Sequence, residues 1–187
     1  MKKINCEIIR SHRRTSRIEI NSEGILRLRV PLRTTKKRVR EIIEENRDWI
    51  EKHLTIALKE RERIESLPSL TDEDIRRLKK AAGEYIPSRA ARYAAILGVS
   101  YGRITIRCQR KRWGSCSREG NLSFNCLLLL TPPEVIDAIV VHELCHRLEM
   151  NHSERFYRHV LKVYPEYRRW NKWLREKGRE IMLRPRE

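Results

Sequence analysis

One helical turn separates His142 from His146 in the run His142-Glu143-Leu144-Cys145-His146, and no other feature constrains this chain as tightly. The segment reads as an amphipathic helix, with Ile136, Ile139, Val140, Leu144 and Leu148 recurring at threes and fours to form one buried face. At about 100° per residue the two histidines lie about 40° apart and about 6 Å along the axis, so both imidazoles can reach one divalent ion. Glu143 falls about 80° to one side of that ligand axis, and Leu144 points to the rear. The carboxylate thus borders the ion without being forced to ligate it. It can accept a proton from a water attacking a carbonyl and return it to the leaving amine, while zinc would bring the pKa of such a water to about 7. Glu143 is the candidate catalytic base.

Two histidines do not complete a catalytic zinc site, which ordinarily has three protein ligands. The candidate third ligand is His152, six residues after His146. A continuous helix would turn those six residues through about 600° and carry His152 about 9 Å along the axis, on the wrong side. The helix must therefore break, and Glu149-Met150-Asn151 is the expected place, with Asn151 taking a left-handed, helix-ending conformation. Glu149 is the competing ligand, about 40° from the ligand axis on an uninterrupted wheel; His152 ranks ahead because imidazole suits zinc. A structural zinc site would normally use cysteines and four protein ligands. The five cysteines, Cys6, Cys108, Cys116, Cys126 and Cys145, contain no CxxC and read as reduced thiols without a disulfide framework.

The rest of the chain reads as α+β. Ile18, Ile20 and then Ile25, Leu26, Leu28 and Val30 give β-like segments within residues 4 to 31, a hairpin turned by Asn21-Ser22-Glu23-Gly24 and ending at Pro31. A helical pattern follows from Thr34 or Thr35 to about Ile64, and Ser66-Leu67-Pro68-Ser69 breaks it. Thr71, with Asp74 three residues on, opens a second helical region that Pro87 should divide in two and Gly98 should end. Tyr101 to Cys108 and Asn121 to Leu128 read as strands around a polar loop at 109 to 119, before a helix starting near Pro132-Pro133. Further helices are expected at Ser153 to Val163 and from Glu166 to about Arg179, separated by Pro165. The expected organisation is a basic hairpin-plus-helix region at 1–67 and a catalytic core at 68–187. Trp113-Gly114-Ser115-Cys116 reads either as a loop lining the cleft or as a tight turn under a packed tryptophan, and Cys145 as a packing residue.

Trp113-Gly-Ser-Cys-Ser117, Gly120-Asn-Leu-Ser-Phe-Asn125, Pro132-Pro133 with Val135-Ile136-Asp137, His142 to His146, Asn151-His152-Ser153 and Phe156, taken in order, resemble the YgjP-like metallopeptidase family, related to the SprT-like and WLM zincins. The resemblance implies a zincin-type fold, with an active-site helix on a small antiparallel sheet. It implies one zinc ion held by His142, His146 and His152, and Glu143 as general base. It also implies a strand that aligns an extended peptide by backbone hydrogen bonds, a place taken here by Asn121 to Leu127, so Asn121, Ser123 and Asn125 are the candidate substrate-binding residues. The His142 to His152 spacing is also that of metzincins, but Glu149 stands where they have glycine, and no Met-turn is evident.

Charge bears on partners. Lys plus Arg number 42 against 25 Asp plus Glu, a net +17, and residues 1 to 40 alone carry a net +10. Such a field attracts polyanions. The first expectation is a zinc-dependent hydrolase cleaving peptide bonds in a peptide or protein. A second is a metal-dependent nucleotide pyrophosphohydrolase, with Arg103, Arg107, Arg110, Lys111, Arg112 and Arg118 drawing in phosphates, although no P-loop is present. A third is a nucleic-acid-associated binding module with a secondary metal site. No apolar run approaches the roughly 20 residues of a membrane span and no secretory apolar region follows Lys2 and Lys3, so a cytoplasmic, membrane-free protein is expected.

Overall fold

Leu26, Leu28 and Val30 alternate with Arg27, Arg29 and Pro31, so an extended chain here has one apolar face, and that face is fully buried. The computed structural model describes residues 6–21 and 23–187. These divide into two units, Met1–Leu67 and Pro68–Glu187. The first unit contains β1 (Cys6–Ser11), β2 (Arg17–Ile20) and β3 (Leu26–Pro31) in the order β1-β3-β2. β2 and β3 form the expected antiparallel hairpin, and β1 adds to it in parallel. Asn21 Oδ1 organises the turn by accepting from the Glu23 and Ile25 amides; Ser22, and the beginning of the β-like stretch at residues 4 and 5, lie outside the described residues.

The helical stretch after β3 is two helices, α1 (Lys36–Glu45) and α2 (Arg47–Glu65), where the apolar periodicity predicts one. Thr35 caps α1 by accepting from the Arg38 amide. The break is at Asn46, whose Nδ2 donates to the Ile42 carbonyl at 2.8 Å; its side chain competes with the helix for a backbone acceptor.

In the second unit Pro87 does not divide the helix. α3 runs unbroken from Asp72 to Leu97, opened by a Thr71–Asp74 capping box and ended by Gly98 at φ +66°, a left-handed conformation that glycine adopts without strain. An internal proline forfeits one backbone bond and costs about 3 kcal/mol. Ala82, Ile86, Ala90, Tyr93 and Ala94 are buried on both sides of it, and burial of that continuous face offsets the loss.

The second sheet comprises β4 (Ile104–Arg107), β5 (Gly114–Cys116) and β6 (Leu122–Asn125), in the order β4-β6-β5. It is mixed, β4 parallel and β5 antiparallel to β6, where a purely antiparallel sheet was expected. β5 lies inside the stretch read as a polar loop; three small residues give no alternation to detect. The apolar run Cys126–Leu130 turns into a 3₁₀ helix instead of extending the strand.

α4 (Pro133–Cys145) carries both motif histidines, His146 forming its C-cap. The expected single apolar face is instead burial nearly all round: residues 135–141 and 143–145 are all buried. The reason is position, for α4 packs against α3, β5, α5 (Glu154–Val163) and α6 (Tyr167–Leu183). Leu148, assigned to the buried face by periodicity, falls beyond the helix and is 39% exposed. The elements are those of the α+β fold expected, and the motif helix lies at the centre of the second unit.

Candidate metal centre

α4 presents His142 and His146 one turn apart, and the chain after it brings His152 back to the same point. The imidazole nitrogens of the three lie within 4.8 Å of one another, with His142 Nε2 and His152 Nε2 separated by 3.0 Å. The reversal begins earlier than the sequence predicts. Helix α4 ends at Cys145, residues 146–148 form a turn, and Asn151 does not adopt a left-handed conformation, since no described non-glycine residue has positive φ. Asn151 works through its side chain, Oδ1 accepting from the Ser153 amide at 3.0 Å. Ser153 in turn caps α5 by accepting from the Phe156 amide.

Phe156, fully buried on the first turn of α5, is the floor of the constellation. Its ring centroid lies 4.9, 4.7 and 4.9 Å from those of His142, His146 and His152. The outer nitrogens of two histidines are held: His142 Nδ1 lies 2.8 Å from the Tyr167 hydroxyl, and His146 Nδ1 lies 3.1 Å from the Glu149 carbonyl oxygen. A carbonyl only accepts, so His146 carries its proton on Nδ1 and presents the lone pair of Nε2. Burial first, and the neighbouring histidines second, hold the His142 pKa down to about 3, and burial lowers that of His146. Neutral imidazoles are the form that binds metal.

These donors fit a zinc ion. Nitrogens at Zn–N about 2.0–2.1 Å in a tetrahedron stand about 3.3 Å apart, between the shortest and longest spacings observed. Glu149, the competing ligand, is not in the group: its carboxylate faces Arg155 Nε at 4.0 Å while its carbonyl holds His146.

Glu143 is 6% exposed and lies against β5, where a Cβ on Gly114 would stand 2.6 Å from its Oε1 and 2.7 Å from its Cγ. Only a residue without a side chain leaves that room. Burial pushes the Glu143 pKa up to about 8, against the opposing charge of Arg112. Cys116 and Cys145 are unsuited to ionic chemistry: burial and the charge of Glu143 raise Cys116, and burial pushes Cys145 up to about 12.

The strand expected to receive substrate is internal. β6 is flanked by β4 and β5, so its backbone is already paired on both edges, and Asn121, Ser123 and Asn125 cannot align a peptide through it. Asn125 is buried, its Nδ2 donating to the Gln109 and Arg112 carbonyls, and Asn121 Oδ1 accepts from the Arg103 amide. The free edge beside Glu143 belongs to β5. Trp113 O accepts from Asn125 N and Ser117 N donates to Asn121 O, so in an antiparallel ladder residues 113, 115 and 117 point their backbone groups at β6. Gly114 and Cys116 point theirs away from β6, along an edge that no described strand occupies. Sequence reasoning missed Tyr167 altogether; it names Arg112 only as a phosphate-attracting charge and the Trp113–Cys116 segment only as a cleft lining or a turn, without its strand.

The family model of the YgjP-like metallopeptidase domain matches residues 58–177. The chain is also similar to the crystal structures of two metallopeptidase zymogens, abylysin of Pyrococcus abyssi and jannalysin of Methanocaldococcus jannaschii. Sequence identity is 24% to the first and 19% to the second. Each alignment covers 50% of this chain and 96% of the other, with a TM-score of 0.45. No curated protein matches.

Proposed function

This chain belongs to the YgjP-like metallopeptidase family, and from that premise we propose that it is a zinc-dependent peptidase whose general base is Glu143. Membership makes it a metal-dependent peptidase in general terms; the metal, its ligands and the roles of residues are our reading. The observation that carries it is the convergence of three imidazoles on one point, with Glu143 on the same helix and a free strand edge beside it.

His142, His146 and His152 would hold one zinc ion, His146 through Nε2 because its Nδ1 donates to the Glu149 carbonyl. Zinc there would supply Lewis acidity toward a scissile carbonyl and toward water. A peptide pairs with the outward backbone groups of Gly114 and Cys116, which fixes its extended course past Glu143. The positive charge of zinc would favour the ionised form of Glu143 over the protonated form that burial favours. The carboxylate then accepts the proton of the attacking water and delivers it to the amine nitrogen as the peptide bond breaks. Gly114 keeps strand and carboxylate close, and the buried walls around Glu143 exclude bulk water.

The test is Glu143→Gln, which keeps shape and removes the base. The zinc-loaded variant should retain metal and fold while losing at least about 10²-fold in kcat on a protein or peptide that the parent cleaves. Turnover equal to the parent's would reject Glu143 as base. Pyrophosphate release from nucleoside triphosphates by a parent that leaves all peptides intact would favour the nucleotide chemistry instead.

A further inference from the structure

The β4-β6-β5 sheet has a second face. Leu122 and Phe124 of β6 are buried in the core, so Ser123 between them faces the other way, and the register aligns Thr105, Ser123 and Ser115 in one row across the three strands. Over this row runs a groove of about 430 Å³, whose lining includes Arg103, Arg107 and Arg112 as well as the three hydroxyls, and no Asp or Glu. All three arginines are exposed, and none forms an ion pair with a carboxylate among the described residues, whereas Arg27, Arg38 and Arg89 are all paired. Ser123 Oγ has no hydrogen-bond partner among the described residues. Three like charges around unspent hydroxyls form a site whose missing component is an anion.

We propose that this groove is a specificity subsite for an acidic side chain of the peptide substrate. The inference rests on the peptidase reading above. A strand on the free edge of β5 has residues opposite Gly114 and Cys116 whose side chains share the inner face with Glu143. The residue between them, opposite Ser115, projects onto the outer face, about 4.8 Å from the row of hydroxyls. Its carboxylate meets the guanidinium groups, which take carboxylates in paired, charge-assisted hydrogen bonds. Ser115 and Cys116 line this groove and their neighbour Gly114 is packed against Glu143, so the subsite adjoins the reacting centre. Alternation along one strand thus gives the enzyme a preference for an acid at a fixed distance from the cleaved bond.

The experiment uses the full Glu143→Gln chain, which keeps the groove, and fluorescein-labelled extended peptides of one sequence carrying Glu, Gln or Lys at each position in turn. Fluorescence anisotropy should show one position at which Glu binds about tenfold tighter than Gln, and Lys weaker than both. The gap should close in Arg103→Gln and Arg107→Gln and shrink with salt, while the Gln peptide binds all forms alike. Equal binding of Glu and Gln peptides at every position, or a gap that survives both arginine substitutions, would overturn the proposal. So would a single-stranded oligonucleotide that displaces the Glu peptide at lower concentration, which would assign the groove to nucleic acid. Cleavage by the parent separates the two readings: neutral peptides cut without any Glu preference in binding reject the subsite alone, and a Glu preference without cleavage of any peptide rejects the peptidase alone.

Discussion

A methyl group at position 114 would lie 2.6 Å from Glu143 Oε1, closer than van der Waals contact permits, so Gly114→Ala forces strand and carboxylate apart. The expected outcome is a kcat/KM lower by about 10²-fold with zinc content unchanged, because a displacement near 1 Å is costly at a reacting centre. Steady-state kinetics beside metal analysis separates that from loss of the ion. Tyr167→Phe removes the hydroxyl 2.8 Å from His142 Nδ1, and zinc affinity should fall about tenfold or more in a competitive chelator titration. At this scale legibility followed sequence distance. His142, Glu143 and His146 could be placed on one another by helical rotation alone, and His152 needed only a chain reversal. Gly114, Arg112 and Tyr167 reach the site from other elements through tertiary packing, which no local periodicity encodes.

The element that holds the centre is α4, and its packing on α3 includes a polar anchor beside the apolar core. Arg89 donates through Nε and Nη2 to Asp137, and the Tyr93 hydroxyl donates to the same carboxylate at 3.1 Å. Asp137 is buried, so removing it leaves a guanidinium without its counter-charge. Asp137→Ala should cost about 3 kcal/mol of unfolding free energy in a denaturant titration, against a near-neutral change for an exposed carboxylate such as Glu73. Elements with strong local signals were readable: the Thr71–Asp74 box and Gly98 bound α3 where expected. Pro87 misled because its local penalty is outweighed by burial on both sides. β5 escaped notice because strand patterning needs large alternating side chains, and Gly114-Ser115-Cys116 has none. Its omission moved the expected substrate contact to β6, whose edges are both occupied.

For the whole molecule the net charge of +17 indicated anionic partners without indicating a face. Residues 1 to 40 carry +10 of it, yet several of their arginines are matched: Arg27 by Glu7, Arg17 by Glu19, Arg38 by Glu41 and Glu45. Arg103, Arg107 and Arg112 are not, and only the register of three strands reveals that they share a groove. No helix among the described residues is long and apolar enough to cross a membrane. Everything proposed for catalysis depends on the three imidazoles acting as one ligand set. The direct measurement is zinc stoichiometry and affinity of the full chain beside His152→Ala and Glu149→Ala. One zinc per parent chain, bound as tightly in Glu149→Ala and far more weakly in His152→Ala, is the predicted result. Zinc retained by His152→Ala and lost from Glu149→Ala would contradict it.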